Sequence, residues 1–285
     1  MKLHVGDSET NLQNVNIIRS AKSSSNWDVN ELIAYNITVT AVLSQQFFPQ
    51  EIDVPLTAAG LDPALATADS DVRPDPDVSR NTSLFLRYLH DATTPDFWVQ
   101  NVRVSSINDF ACQLLITVGF TRGPYCVSRR RSIPLLICDY NRKVAQISVC
   151  LRDTESDMLL LLQMDKTQIG SSNVEARMIP GAIAAYQLNN NKRQERGLHP
   201  LDVMTMPCIT MIGTRPTFYL VPVTKALSDA VNSCQYPSAR TEVLKCEVAS
   251  DHNGGMEAPE YRGIALQYYV AFESLAKSHW EKFLR

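Results

Sequence analysis

Between residues 132 and 162 the chain carries three short apolar runs, each closed by a polar turn, and no other stretch restricts its fold as much. Ser132-Ile133-Pro134-Leu135-Leu136-Ile137-Cys138, then 144–151, then 158–162 have the length and composition of strands. Asp139-Tyr140-Asn141-Arg142 and Arg152-Asp153-Thr154-Glu155-Ser156-Asp157 supply the turns. Strands joined this tightly pair as an antiparallel meander. Helical periodicity flanks it on both sides. Phe110, Leu114, Leu115 and Val118 recur at helical spacing over 105–118, with Ser106 or Asn108 to cap the helix and Gly119 to end it. Ile179, Ile183, Ala184 and Tyr186 predict a second helix over 174–190. Its firm start is expected near Pro180, where a first-turn proline costs little. Strand-like runs at 208–213 and 217–223, turned by Thr214-Arg215-Pro216, follow. A last helix over 263–284 carries Tyr268, Tyr269, Phe272 and Trp280 as a core-facing stripe. This order of elements is α+β.

Upstream, residues 1–26 are polar and serine-rich and read as a loose arm. Over 27–48, Leu32, Ile33, Tyr35, Ile37, Val39, Val42, Leu43 and Phe47 suit one helix capped by Asp28 or Asn30 and closed by Pro49. The stretch 60–80 is acidic and broken by prolines, and 84–90 predicts a short helix. The expected organisation is therefore an arm (1–26), a helical extension with an acidic proline-rich loop (27–104) and an α+β core (105–285).

Composition narrows the functional classes. Of 285 residues 45% are apolar, enough for a sizeable core, and the net charge of −3 excludes a bulk polycation. A nucleic-acid role then needs a local basic patch, for which Arg129, Arg130, Arg131, Arg142 and Lys143 are the candidates, with 192–196 as a further basic group. Apolar runs reach only five residues, so no membrane span is expected. The first residues do not read as a secretory signal. Seven cysteines, an odd number without a C-x-x-C, read as buried reduced thiols of an intracellular protein, cytoplasmic or nuclear. The five histidines make no zinc motif, and no phosphate-loop, dinucleotide or nucleophile-elbow signature occurs.

A resemblance sharpens this reading. It is carried by Asn30-Glu31-Leu32-Ile33-Ala34-Tyr35-Asn36-Ile37, Asn108-Asp109-Phe110-Ala111, Ile133-Pro134-Leu135-Leu136-Ile137-Cys138, Gln163-Met164-Asp165-Lys166, residues 182–190 and Ile209-Thr210-Met211-Ile212-Gly213-Thr214. With these the chain resembles the core of the PD-(D/E)XK nuclease-like superfamily. It is more closely similar to a broad set of proteins of mushroom-forming fungi (basidiomycetes) thought to share that core. The resemblance implies a restriction-endonuclease-like mixed sheet flanked by helices. It also implies a magnesium site built from an acid on one strand and an acid-x-lysine pair on the next.

Here the implied pattern breaks. Ser148 stands at the first acid and Met164 at the second, while Lys166 is retained. Serine and a thioether are poor ligands for magnesium. Asp165 alternates away from 164 and 166, and residue 148 is expected to face those two across the hairpin. Asp109 could add a carboxylate, and Gln146 and Gln163 neutral oxygens. Tyr186 and Gln187 resemble accessory polar residues of some nucleases, beside the plainer reading of helix side chains packing on the sheet.

The expectation is a degenerate nuclease-fold protein without a cofactor, a pseudoenzyme acting by binding nucleic acid, a protein or a small molecule. The alternatives are a magnesium-dependent nuclease with a migrated site of Asp109, Asp165 and Lys166, and recruitment of the fold for catalysis on a small molecule.

Overall fold

The computed structural model describes residues 18–69, 78–94, 100–166, 174–250 and 254–285; the side chains of 100–104, 141 and 164–166 lie outside this description. Most of the expected arm (1–17) and the centre of the acidic loop (70–77) fall outside it too. In chain order the elements are a 3-10 turn (Ser24–Asn26), α1 (Val29–Ala34), β1 (Ile37–Ala41), α2 (Ser44–Phe47), α3 (Ala64–Thr67), α4 (Arg80–Thr93) and α5 (Gln100–Val118). Then come β2 (Tyr125–Ile137), β3 (Tyr140–Asp153), β4 (Leu159–Lys166), α6 (Val174–Glu195), β5 (Val203–Ile212), β6 (Arg215–Thr224), α7 (Lys225–Asn232), β7 (Thr241–Glu247) and α8 (Pro259–Leu284). The strands form one mixed sheet in the order β1-β7-β6-β5-β4-β3-β2. Two pairs are parallel, β1 with β7 and β4 with β5; the others are antiparallel. The α+β class and the meander of the sequence reading hold, with longer strands than the apolar runs alone mark. No helix among the described residues is long and apolar enough to cross a membrane.

The single helix expected over 27–48 is not formed. Asp28 does cap α1 through a capping box: its Oδ1 accepts from Asn30 N at 2.7 Å, and Glu31 Oε2 accepts from Asp28 N at 2.8 Å. That helix ends at once, because Asn36 takes a left-handed conformation (φ 52°). The next residues, Ile37-Thr38-Val39-Thr40, are β-branched and alternate apolar with polar, which favours a strand. They pair in parallel with β7, Ile37 beside Thr241 and Val39 beside Val243. The stretch 27–104 thus supplies an edge strand to the same sheet as the core.

Helices α5 and α8 supply much of the aromatic core. Phe110, Leu114 and Leu115 of α5 are fully buried, Phe85 of α4 packs on Phe110 (5.3 Å between ring centroids), and Gly119 (φ 109°) ends the helix as expected. The aromatic stripe of α8 is core: Phe272 lies 4.9 Å from Phe218 of β6, and Trp280 lies 5.5 Å from Tyr125 of β2.

Helix α6 organises the molecule. Residues 178–187 are buried on every side, about three turns of helix without a solvent face. It begins at Val174, so Pro180 lies inside it and the start expected there is corrected. Pro180 itself is buried, and Gly181 permits close contact: a Cβ there would lie 2.6 Å from Ile147 Cδ1. At its C-terminal half three side-chain amides each pair with both backbone groups of one residue elsewhere. Gln187 accepts from Leu136 N (2.9 Å) and donates to Leu136 O (3.1 Å). Asn189 does the same with Leu159 (2.8 and 2.7 Å), and Asn190 with Leu201 (2.8 and 3.0 Å). Gln187 also donates to Ser228 Oγ of α7 (3.3 Å), so this one side chain joins the edge strand β2 to the helix that follows β6. Tyr186 and Gln187, read as possible accessory polar residues, are packing and clasp residues here; the Tyr186 hydroxyl donates to Leu201 O at 2.8 Å.

One cysteine expectation is overturned. Cys138 and Cys234 form a disulfide, while Cys112, Cys150, Cys208 and Cys246 are buried free thiols and Cys126 a half-buried one. The partners are 96 residues apart in sequence and sit in separate turns, so nothing local announces the bond.

Asn189 is completely buried and its two bonds satisfy an otherwise orphaned pair of backbone groups. Asn189→Leu is expected to cost on the order of 1–3 kcal/mol for each group left unpaired, read as a lowered denaturant midpoint at unchanged slope. A midpoint shift equivalent, through the slope, to less than about 0.5 kcal/mol, typical of surface substitutions, would count against the clasp.

Candidate functional site

The β3–β4 ladder runs through Leu151–Leu161 and Cys150–Leu162 to Val149–Gln163, its last pair. Ser148 lies one position beyond that pair and is half-buried, so the expected facing of 148 and 164 is not part of the ladder. Met164, Asp165 and Lys166 continue β4 in parallel register with Thr210, Met211 and Ile212 of β5. Their side chains lie outside the described residues. Asp109, on α5, has its carboxylate held 2.7 Å from Arg129 Nη1 of β2, and Arg129 Nε donates to Cys112 Sγ at 3.1 Å. Among the described residues no group of three or more His, Cys, Asp or Glu comes within reach of one metal ion.

The basic residues divide rather than form one patch. Arg129 and Arg130 reach α5, the latter donating to Ser105 Oγ at 2.6 Å. Arg130 sits at φ 48°, a left-handed position that interrupts the alternation of β2. Arg131 instead meets Asp157, at the end of the turn between β3 and β4 (2.7 Å), where Arg152 also binds (3.1 Å) while its Nε donates to Ser128 Oγ (3.1 Å). Lys143 pairs across the ladder with Leu135 and lies over the Tyr140 ring at 5.6 Å. It is four ladder positions from Arg131, about 13 Å along the strand. Arg142 and Lys143 therefore stand apart from Arg129–Arg131. Arg193 is buried and donates to the carbonyls of His199 and Phe283, and Arg196 donates to Glu155 O at 3.1 Å, which makes the 192–196 group structural. Among the described residues, the ion pairs around β2 set Arg129, Arg131 and Arg152 against Asp109 and Asp157, with Arg130 beside them on Ser105.

The sequence reading missed a polar network near the carboxyl ends of the parallel strands β4 and β5. Thr210 Oγ1 donates to the Tyr219 hydroxyl (3.3 Å), and Tyr219 donates to Glu175 Oε1 in the first turn of α6 (3.3 Å). Lys245 Nζ bridges Glu175 (2.9 Å) and Glu247 (2.8 Å). Burial pushes the Tyr219 hydroxyl well above the ordinary tyrosine range, helped by the charge of Glu175. Burial works against the Lys245 charge, but its bonds to Glu247 and Glu175 outweigh it and its pKa is raised. The network ties the start of α6 to β6 and β7 beside Thr210, the register neighbour of Met164. Its members come from α6, β5, β6 and β7, so no local motif could have announced it. A second group follows at the β5–β6 turn. Glu257 accepts from Thr214 Oγ1 (2.6 Å) and Gly255 N (2.7 Å), and Arg215 lies over the Tyr261 ring at 4.6 Å.

No protein-family model matches the chain, and no curated protein matches it.

Burial alone would raise the Asp157 pKa, but the bond and charge of Arg131 and the charge of Arg152 bring it below the ordinary aspartate value. A depressed carboxylate contributes stability above its unfolded pKa of about 3.9 and loses it as pH falls through the lower folded value. Because Asp157 is 38% exposed, the contribution is that of a screened surface pair, roughly 1 kcal/mol or less. Asp157→Asn is expected to lower the melting temperature at pH 6 to 7 and to converge on the parent as pH falls through the lowered pKa of folded Asp157. An equal deficit across that pH range would assign the loss to packing instead.

Proposed function

We propose that this chain is a binding protein with a PD-(D/E)XK-like core that holds a nucleic-acid backbone along α5 and β2 and does not cleave it. The observation that carries the reading is the ion pair of Asp109 with Arg129. An acid on the helix preceding the meander is where a metal-dependent site could draw a carboxylate, and a guanidinium 2.7 Å away competes with any cation for that oxygen. Ser148 and Met164, at the positions the resemblance gives to the strand acids, point the same way.

Topology supports the fold assignment. Helix α5, the meander β2–β3–β4, the crossover α6 and then β5 parallel to β4 make a mixed sheet flanked by helices, the coarse architecture the resemblance implies. The likeness to the basidiomycete proteins and a cytoplasmic or nuclear setting belong to this same proposal. The excess of arginine over aspartate among the described residues around β2 suits phosphate, a sequence-independent and salt-sensitive contact. A small-molecule role has less support: a cavity of about 640 Å³ lies between α3 and α8, and none of its lining residues belongs to β3 or β4.

The test is fluorescence polarisation with a labelled 20-nucleotide single strand and the matching duplex, across a salt series, followed by incubation with Mg²⁺ or Mn²⁺. Binding that weakens with salt is expected, its log–log slope falling by about 1–2 in the Arg129→Ala/Arg130→Ala variant, with no product after incubation. Metal-dependent product that disappears in Lys166→Ala would establish the migrated-site nuclease. Absence of salt-sensitive binding would remove the nucleic-acid ligand.

A further inference from the structure

Cys138 lies in the turn between β2 and β3, and its disulfide partner Cys234 lies just past the C-terminal end of α7. Both residues are half-buried, and both adopt left-handed backbone conformations (φ 50° and 58°), as residues of tight turns do. The hairpin tip is seated on helix-end carbonyls: Cys138 N donates to Val231 O at 3.0 Å and Asp139 N to Asn232 O at 2.6 Å.

The same point receives the N-terminal segment. The Tyr35 hydroxyl is 3.8 Å from Cys138 Sγ, and its ring stacks on Trp27 at 5.4 Å. The Arg19 guanidinium lies over Tyr35 (5.9 Å) and over Tyr236 (5.3 Å), two residues past Cys234, while its Nε donates to Ala34 O (2.7 Å). Asn36 Nδ2 donates to Pro237 O at 3.2 Å. Three segments distant in sequence thus meet around one covalent bond: residues 18–36, the β2–β3 turn, and the loop from α7 to β7.

The remaining cysteines contrast with this pair. Burial pushes the Cys150 thiol up to about 11 and the Cys246 thiol up to about 12, so both stay protonated and unreactive at neutral pH. Around α6 the core is held by apolar contacts, with Cys138 packed only at its margin, and by the amide clasps of Gln187, Asn189 and Asn190, none of which involves Cys138 or Cys234.

We propose that Cys138–Cys234 is a redox latch: reduction by a dithiol frees the tip of the β2–β3 hairpin and unseats residues 18–22, while the core around α6, which includes Trp27, Leu32 and Tyr35, stays folded. The dithiol's thiolate attacks one of the two sulfurs, the Sγ–Sγ bond breaks, and the other cysteine leaves as a thiolate that takes up a proton. The second thiol of the reductant then displaces the resulting mixed disulfide. This leaves two protein thiols and the oxidised reductant, with two electrons and two protons transferred. The inference does not depend on which ligand the chain binds.

The experiment treats the full chain with a dithiol or with buffer, then with an alkylating reagent, and locates the labels by mass spectrometry. Parallel samples go to limited trypsin digestion, read at Arg19 and Lys22. Without dithiol, Cys138 and Cys234 are expected to stay unlabelled. After mild reduction both are labelled, while Cys150, Cys208 and Cys246 remain protected. Cleavage at Arg19 and Lys22 then accelerates about tenfold, because proteolysis tracks the open population. Reoxidation reverses both effects. Cys138→Ser/Cys234→Ser should be cleaved quickly in either condition with an unchanged circular-dichroism spectrum. The latch is overturned if Cys138 and Cys234 are labelled before reduction, or if the cleavage rate ignores the redox state. It is equally overturned if reduction exposes the buried cysteines as well, since the bond would then be holding the whole fold.

Discussion

A helix that is apolar on every side needs apolar surface on every side, and this constraint on α6 shapes the rest of the molecule. One flat sheet covers one face of a helix. Here residues 178–187 are buried all round, because the sheet lies on α6 and the 3-10 turn, α1 and α7 also pack against it. Such a helix must also satisfy its polar side chains internally, since an unpaired buried amide is costly. Gln187, Asn189 and Asn190 do so by pairing with complete backbone units of Leu136, Leu159 and Leu201. These contacts fix how far the helix is inserted and occupy edge groups of β2 that could otherwise pair with another chain.

The same edge explains how charge is arranged. An exposed strand at the end of a sheet is protected from pairing by charged residues, a proline and interruptions of its alternation, and β2 has all three in Arg129–Arg131, Pro134 and the left-handed Arg130. Edge protection and phosphate binding are compatible, because both need outward-reaching cations. What distinguishes this edge is that two of the arginines are anchored, Arg129 by Asp109 and Arg131 by Asp157, which gives the guanidinium groups defined positions. The anchoring of Arg129 also commits the one carboxylate of α5 that a nuclease-like site could have used.

Legibility varied with how local the determining physics was. The meander, α5 and α8 were readable because apolar periodicity and end signals such as Gly119 lie within a few residues of one another. The stretch from Ile37 to Ala41 was misread as helix although its alternation was present, because a longer apolar run around it also satisfied helical spacing; pairing with β7 decides the matter. The strand β7 has a similar period-two signal in Thr241-Glu242-Val243 that passed unnoticed. Pro180 misplaced the start of α6, since enclosure by the sheet outweighs one missing backbone bond. For the candidate site, Asp109 and the arginines are visible in the sequence as residue types, but their pairing depends on how α5 packs beside β2. The Thr210–Tyr219–Glu175–Lys245–Glu247 network left no trace in any single segment.

By itself the sequence determined an α+β chain and its central meander between two helices. These are properties of residue type and short-range spacing, and chain connectivity alone carries them. Only the tertiary structure decided which arginine meets which aspartate, which two of seven cysteines join, and that α6 has no solvent face. Each of those depends on how elements far apart in sequence are brought together, and that is set by the burial of the whole chain around one helix.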